Sequence, residues 1–268
     1  MPGKEIDMRY TFGTSETALR RLGKLAEIFN PSSREFVKKY LAHPVNAVID
    51  LGCGPGFTTQ MLSTAARSGA FYGFDNSEEF LVSARELSSG GVFVNHDITK
   101  TPFPLAADAL YLRFVLSHLL YPVELLNRWS REMRHDGIML VEEVEAIETD
   151  SDVFKRYLSI NNALVASQGA QLFIGKTLAH GTYDAQVSLN ECVSLPVSNS
   201  DAAAMFYPNT VSIWEKEAYV RDTVSAGERK DISSALRAVM QSGDKCCGIT
   251  WKMRRLVLEN DSYRELFI

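Results

Sequence analysis

Cysteine is scarce in this chain: Cys53, Cys192, Cys246 and Cys247 show neither C-x-x-C spacing nor the density of a disulfide framework. Free thiols are therefore expected. Five histidines lie scattered without a ligand-like cluster, so no metal is expected either. No apolar run approaches the roughly 20 residues a membrane-spanning helix needs. The segment Met1-Pro2-Gly3-Lys4-Glu5 lacks the hydrophobic core of a signal peptide, which predicts a cytoplasmic protein with no membrane partner. Positive charge is also in short supply. Lys and Arg number 28 against 33 Asp and Glu, a net charge of −5, and no basic cluster with interleaved aromatics stands out. Such a chain has no general attraction for a phosphate backbone, so nucleic acid is not an expected partner.

What is present is an ordinary globular composition. The 268 residues are 46% apolar, enough for one large core, with no internal repeat or low-complexity tract. Two helical segments are predicted first. One carries Leu19, Leu22, Leu25, Ala26 and Phe29 after a cap at Thr14 or Ser15; the other restarts at Asn30-Pro31 and ends at His43-Pro44. Strands and helices then alternate from Asn46 to about Glu148, with Ser77 capping a helix whose inward residues are Phe80, Leu81, Ala84 and Leu87. Pro122 opens another, with Val123, Leu126, Trp129 and Met133 inward, and Ile138 to Val141 is a fifth buried strand. Alternation of this kind predicts an α/β fold with parallel strands and helices on both faces. Beyond it come helical sequence at 151–168 and 170–180, a period-two stretch at 186–197, helical sequence at 201–224 and 228–241, and a last strand at 248–258. The expected organisation is an N-terminal helical cap over 1–45, a ligand-binding core over 46–148, and lid helices with closing strands over 149–268.

The most informative segment is Val48-Ile49-Asp50-Leu51-Gly52-Cys53-Gly54-Pro55-Gly56, a buried-strand pattern that runs into alternating glycines and then into helical sequence. A ligand is expected against that turn, at the start of the helix. The next strand, Phe71 to Phe74, ends in Asp75, nineteen residues beyond Gly56, where an acidic residue grips a ribose diol. A dinucleotide fingerprint needs a third glycine where Phe57 stands, and Asp50 before the turn opposes a pyrophosphate but attracts an ammonium group. A ribose-bearing cofactor with a cationic amino acid end fits better.

The run DLGCGPG followed by GFDNS resembles the first two motifs of the class I S-adenosylmethionine-dependent methyltransferases, a family with a Rossmann-like sheet. Asn95-His96-Asp97-Ile98 resembles the third motif and Ala107 to Leu119 the fourth-strand segment, so the resemblance covers about residues 10–145. It implies a seven-stranded, mostly parallel sheet with an antiparallel last strand, and S-adenosyl-L-methionine as cofactor. By resemblance Gly52, Gly54 and Gly56 shape the loop around the methionine part, and Asp50 lies near the amino group. Asp75 takes the ribose hydroxyls with Asn76 beside the adenine, Asp97 reaches the adenine amino group, and Ile98 flanks that ring. Arg113 is placed to meet the cofactor carboxylate, and Tyr10, in Arg9-Tyr10-Thr11-Phe12-Gly13, to lie over the cofactor. Each also has a plainer reading, as a turn glycine, a helix cap, an ion pair or an anchor for the terminus.

The acceptor side is less legible. Phe12, Phe114 and Glu143 are the substrate-binding candidates, and His118 and Glu143 the candidates for a general base, which is needed mainly for a hydroxyl or a protonated amine. Packing or a solvated strand end explains His118 and Glu143 as well. Phe154, Tyr157, Phe173, Phe206, Tyr207 and Trp214 are aromatics from which an apolar pocket can be drawn. Cys53, with no histidine partner at a recognisable spacing, reads as a small filler. Arg113-Phe114-Val115-Leu116 lacks the D/N-P-P-aromatic motif of nucleobase amine methylation. The expectation is methyl transfer to nitrogen or oxygen of a small molecule. A nucleotide-dependent oxidoreductase and a non-catalytic methyltransferase-like binding protein are the rivals.

Overall fold

The structure is a computed structural model that describes residues 16–87 and 90–260. Tyr10, Phe12 and the cap at Thr14 or Ser15 lie outside the described residues.

Helix α1 (Glu16–Tyr40) leads into β1 (Val45–Leu51), α2 (Phe57–Ala65), β2 (Ser68–Asp75), α3 (Glu78–Leu87), β3 (Gly91–Asn95) and β4 (Ala107–Arg113). A short 3-10 turn at Leu116–His118 precedes α4 (Pro122–Ser130) and β5 (Met133–Thr149). The remainder is α5 (Asp152–Ser167), α6 (Gly175–Ala179), β6 (Gln186–Val197), α7 (Asn199–Ser212), α8 (Ala218–Thr223), α9 (Ala226–Ser242) and β7 (Ile249–Glu259). The strands form one seven-stranded sheet in the order β3-β2-β1-β4-β5-β7-β6. Strands β1 to β5 pair in parallel, and β7 runs antiparallel to both β5 and β6. The chain thus reverses its strand order between β1 and β4, where a ligand-binding crevice opens at the carboxyl ends of the strands.

Val48, Ile49 and Leu51 are fully buried, as a strand covered on both faces requires. On one face Ile49, Leu51, Leu110 and Leu112 pack with Leu126 and Trp129 of α4; on the other Val48, Ala109 and Tyr111 pack with Phe36 and Val37 of α1 and Met61 and Leu62 of α2. A further core joins α5, α7 and α9 to the outer half of β7. The helices added after β5 therefore carry their own apolar core while sharing the sheet.

Four local expectations are corrected. Helix α1 runs unbroken through Pro31 rather than restarting there. Proline removes one backbone hydrogen bond, but side chains of the sheet hold this stretch in place. Arg113 donates to Asn30 Oδ1 and Ser33 Oγ, both at 2.8 Å, and Arg255 donates to the Ser32 carbonyl at 3.1 Å and its hydroxyl at 2.8 Å. Leu87, expected inward, is exposed in the last turn of α3. Met133 belongs to the start of β5 and not to α4, whose buried face is Leu125, Leu126 and Trp129 with Val123 only half-buried. The helical sequence at 201–224 divides into α7 and α8, joined by residues around Trp214, which is fully buried.

Candidate active site

One cavity of about 800 Å³ opens over the carboxyl ends of β1, β2 and β4. Its size suits a cofactor together with a small substrate.

The glycine turn forms its floor. Gly52 has φ +68°, and a Cβ there would sit 2.7 Å from Val115 Cγ2; Gly54 has φ +51°, and a Cβ there would meet nothing within 4 Å. Gly52 is thus required by packing, whereas Gly54 leaves an open cradle facing the cavity. Asp75 tightens this turn by accepting from the Gly54 N–H and the Ser77 N–H, both at 2.9 Å. Burial pushes the Asp75 pKa up, against those amide hydrogen bonds. Ser77 also caps α3 through the Phe80 N–H, as expected.

Asp75, Asn76, Asp97, Ile98, Gly52, Gly54, Arg113, Phe114 and His118 all line the cavity. Asp97 accepts from the Thr99 N–H at 3.0 Å and the Thr99 hydroxyl at 2.7 Å, which with Lys100 outweigh burial and hold its pKa low. Ile98 is fixed from behind by Trp129 Nε1, which donates to its carbonyl at 2.8 Å. The buried Arg113 guanidinium spends two nitrogens on α1, and its Nε has no acceptor among the described residues.

Asp50 and Glu143 do not line the cavity, contrary to the contacts expected of them. Asp50 lies beneath the turn, where one oxygen accepts from the Thr58 hydroxyl at 2.5 Å and the Thr59 hydroxyl at 2.7 Å. Burial raises its pKa to about 6 although both hydroxyls oppose the shift. It braces the first turn of α2 rather than reaching a ligand. Glu143 is fully buried behind the 3-10 turn, and its Oε1 accepts from the N–H groups of Val115 at 2.6 Å and Leu116 at 2.7 Å. Its Oε2 has no partner among the described residues, and burial raises its pKa to about 7 against the hydrogen bonds of Leu116, Val115 and Ser117. Glu143, expected after the fifth strand, lies within β5, and it shapes the wall instead of touching what the wall encloses.

His118 sits within that wall. Burial, followed by the charge of Arg21, lowers its pKa to about 4, so its ring is neutral at pH 7. Cys53 lines the cavity too, but burial pushes its thiol well up, which suits a filler.

The far side of the cavity is aromatic. Phe29 meets Phe114 edge-on at 5.2 Å and Trp251 at 5.7 Å; Trp251 meets Phe206 at 5.7 Å, and Phe206 stacks on Tyr157 at 4.3 Å. Of the aromatics marked after the fifth strand, Tyr157 and Phe206 reach the cavity, whereas Phe154 and Trp214 pack in the core behind. Arg21, Asn161, Asn209 and Trp251 were missed. For Arg21 a signal existed: Ala18, Arg21, Ala26, Phe29 and Ser33 share the buried face of α1, so this charge falls on an apolar stripe. Trp251 gave none beyond its place in a period-two strand.

Residues 49–141 match the family model described as a methyltransferase domain. Over this stretch the chain is similar to methyltransferases. The chain is 30% identical over 124 residues to a trans-aconitate 2-methyltransferase of Acidovorax sp. (strain JS42), covering 46% of this chain and 48% of that protein. It spans about half the length of the curated relatives it first matches. The fold resembles that of a putative methyltransferase from Bacillus halodurans C-125, with a TM-score of 0.55 and 13% identity over 86% of this chain and 100% of that one. It also resembles coclaurine N-methyltransferase bound to N-methylheliamine and S-adenosylhomocysteine, with a TM-score of 0.53 and 13% identity over 86% and 72%. The segments that carry this similarity meet at the floor and one wall of the cavity, and residues outside 49–141, with Phe114, supply the aromatic wall. Among the described residues, no helix is long and apolar enough to cross a membrane and no group of side chains is arranged to hold a metal.

Proposed function

We propose that this chain binds S-adenosylmethionine on the floor of the cavity and methylates nitrogen or oxygen of a small molecule held against the aromatic wall. The observation that carries the reading is the convergence of four separated sequence segments, 52–55, 75–77, 96–99 and 113–118, on one cavity. The residues present suit the cofactor. Gly54 leaves the cradle open for an amino acid end, and Arg113 Nε provides a buried donor for its carboxylate. Asp75 keeps acceptor capacity for ribose hydroxyls, because each oxygen takes one amide and has a second lone pair. Asp97 suits an adenine amino group, Asn76 its edge and Ile98 its face. Asp50 serves at one remove by fixing α2.

When bound, the cofactor supplies an electrophilic methyl group on a sulfonium. The protein then has mainly to align the reactants, a contribution of about 10⁵ to 10⁸ M in effective concentration. The wall from α1, α5, α7 and β7 excludes water from the apolar side, and α1 with the helices of the 149–245 region acts as its lid. The relatives named for trans-aconitate support a small organic acceptor.

Calorimetric titration with S-adenosylhomocysteine tests the reading. Asp75→Ala is expected to weaken binding by about 1 to 3 kcal/mol, the scale of an unmade hydrogen bond. No binding to the folded wild-type protein overturns the proposal.

A further inference from the structure

We infer that Glu143 is a positioning residue of the cofactor site, touching no ligand itself and acting by holding the chain after β4 in a left-handed turn at Phe114. This deepens the proposed function and rests on it. Phe114 has φ +60°, a backbone conformation that a bulky side chain seldom adopts and that persists only where the surrounding structure imposes it. Among the described non-glycine residues Tyr121 and Asp136 also have positive φ, but of the three Phe114 alone lines the cavity. The strain falls at the site.

Hydrogen bonds from Glu143 impose it. The ladder between β4 and β5 ends with Arg113 opposite Glu142, and the Phe114 N–H still donates to the Glu142 carbonyl at 3.1 Å. Beyond that point the chain leaves the sheet. A left-handed Phe114 followed by a right-handed Val115 turns successive N–H groups to one side, the geometry of a backbone nest for an anion. Glu143 fills the nest from within: its buried Oε1 accepts from the Val115 N–H at 2.6 Å and the Leu116 N–H at 2.7 Å. Alternation along the strand sends Glu142 to the opposite face, where Tyr111 and Arg255 engage it, so it cannot substitute.

The turn held in this way reaches both halves of the cavity. Val115 fills the space that a side chain at position 52 would need, with Cγ2 2.7 Å and Cγ1 3.2 Å from where a Gly52 Cβ would stand. The glycine floor is thus seated on the turn. On the other side the Phe114 ring meets Phe29 of α1 edge-on at 5.2 Å. Without the carboxylate, two buried amides lose their acceptor and nothing offsets the left-handed phenylalanine, so the turn relaxes and Val115 moves off Gly52.

The test titrates S-adenosylhomocysteine calorimetrically into the full chain, at a temperature where each variant is folded. Glu143→Met keeps the bulk but removes both oxygens, and Glu143→Asp is one methylene too short to span the same gap; each is expected to weaken binding by about tenfold or more. Glu143→Gln retains an oxygen for the nest and should stay within about threefold of wild type. A residue that only stabilised the fold would lower the melting temperature in all three variants without this split in affinity. Wild-type affinity in E143M or E143D overturns the inference, as does an E143Q as weak as they are; E143D decides alone where E143M does not fold. A second arm needs no cofactor. Thermal unfolding should place Phe114→Gly about 2 °C or more above Phe114→Ala, as a left-handed backbone requires, and the gap should close when Glu143→Asp is added. Equal midpoints for the two single variants, or a gap that E143D leaves unchanged, also overturn the inference. Failure of S-adenosylhomocysteine to bind wild type counts instead against the proposed function, while the glycine–alanine comparison still judges the turn, so the two ideas fail separately.

Discussion

Replacing Glu143 by glutamine should remove much of the pH dependence of folding stability. The wild-type carboxyl is completely buried and its pKa rises from 4.5 to about 7 on folding, because burial disfavours its charge more than the amides of Leu116, Val115 and Ser117 favour it. The folded state therefore holds this proton more tightly than the unfolded state. Stability from this group is fully present below pH 4.5 and is lost as pH rises through about 7. The whole change amounts to about 3 kcal/mol at 1.36 kcal/mol per pKa unit, of which about 2 kcal/mol falls between pH 5.5 and 8.5. Glutamine keeps an oxygen for the Val115 and Leu116 amides but cannot ionise. Its amide nitrogen takes the place of Oε2, which has no partner among the described residues, so the variant has its own constant cost of about 1 to 3 kcal/mol. Urea unfolding followed by tryptophan fluorescence at pH 5.5 and 8.5 separates the two effects, since only the difference between pH values reports the titration. An E143Q variant that loses as much stability as wild type between these pH values refutes the reasoning.

Glu142, next to Glu143 in β5, is engaged on both oxygens: Arg255 donates at 2.9 Å and the Tyr111 hydroxyl at 2.8 Å. Glu142→Ala leaves the Arg255 guanidinium, stacked 4.7 Å over Phe36, without its counter-charge and should cost about 3 to 5 kcal/mol in chemical denaturation. Gly52→Ala should destabilise more than Gly54→Ala, because only the first drives a Cβ into Val115, although both suffer about 1 to 2 kcal/mol from a left-handed backbone. In Gly54→Ala the new methyl fills the cradle, so calorimetry should show a greater loss of S-adenosylhomocysteine affinity than of stability. Arg113→Met should weaken S-adenosylhomocysteine by about 1.5 to 3 kcal/mol, as for a hydrogen bond to a charged group, and lower thermal stability through the loss of its bonds to Asn30 and Ser33.

The alternation of strands and helices and the glycine turn were legible because they depend on short-range pattern. An apolar run, an acidic end, a glycine turn and a capped helix each leave a signature within a dozen residues, and the class of fold follows from their alternation. Asp50 and Glu143 were misplaced because period-two patterning tells which strand a carboxylate stands on but not what lies above it. Both turned out to hold backbone or hydroxyl donors beneath the surface of the cavity. The break expected at Asn30-Pro31 failed for a related reason: proline is a local signal, and the arginines that hold this segment lie some 80 and more than 220 residues away in sequence. The aromatic wall assembles from the end of β4, α5, α7 and β7, so no window of sequence contains it.

The uninterrupted α1 helix has a mechanical consequence. Its middle is held by two arginines that rise from different strands, while Arg21, Leu22 and Leu25 on its N-terminal arm form part of the cavity wall. Pro31, which has no N–H to donate, lies beside the held segment. The arm from Pro31 to Arg21 is about 15 Å long at 1.5 Å per residue. A bend of about 10° at the proline swings Arg21 by roughly 2.5 Å, on the order of an atomic diameter, without melting a single turn. The helix is thus a stiff rod fastened at its middle to the sheet and along its N-terminal arm to α7 through the Lys24–Asp201 ion pair, so the cavity wall it forms is set by the same contacts that fasten it.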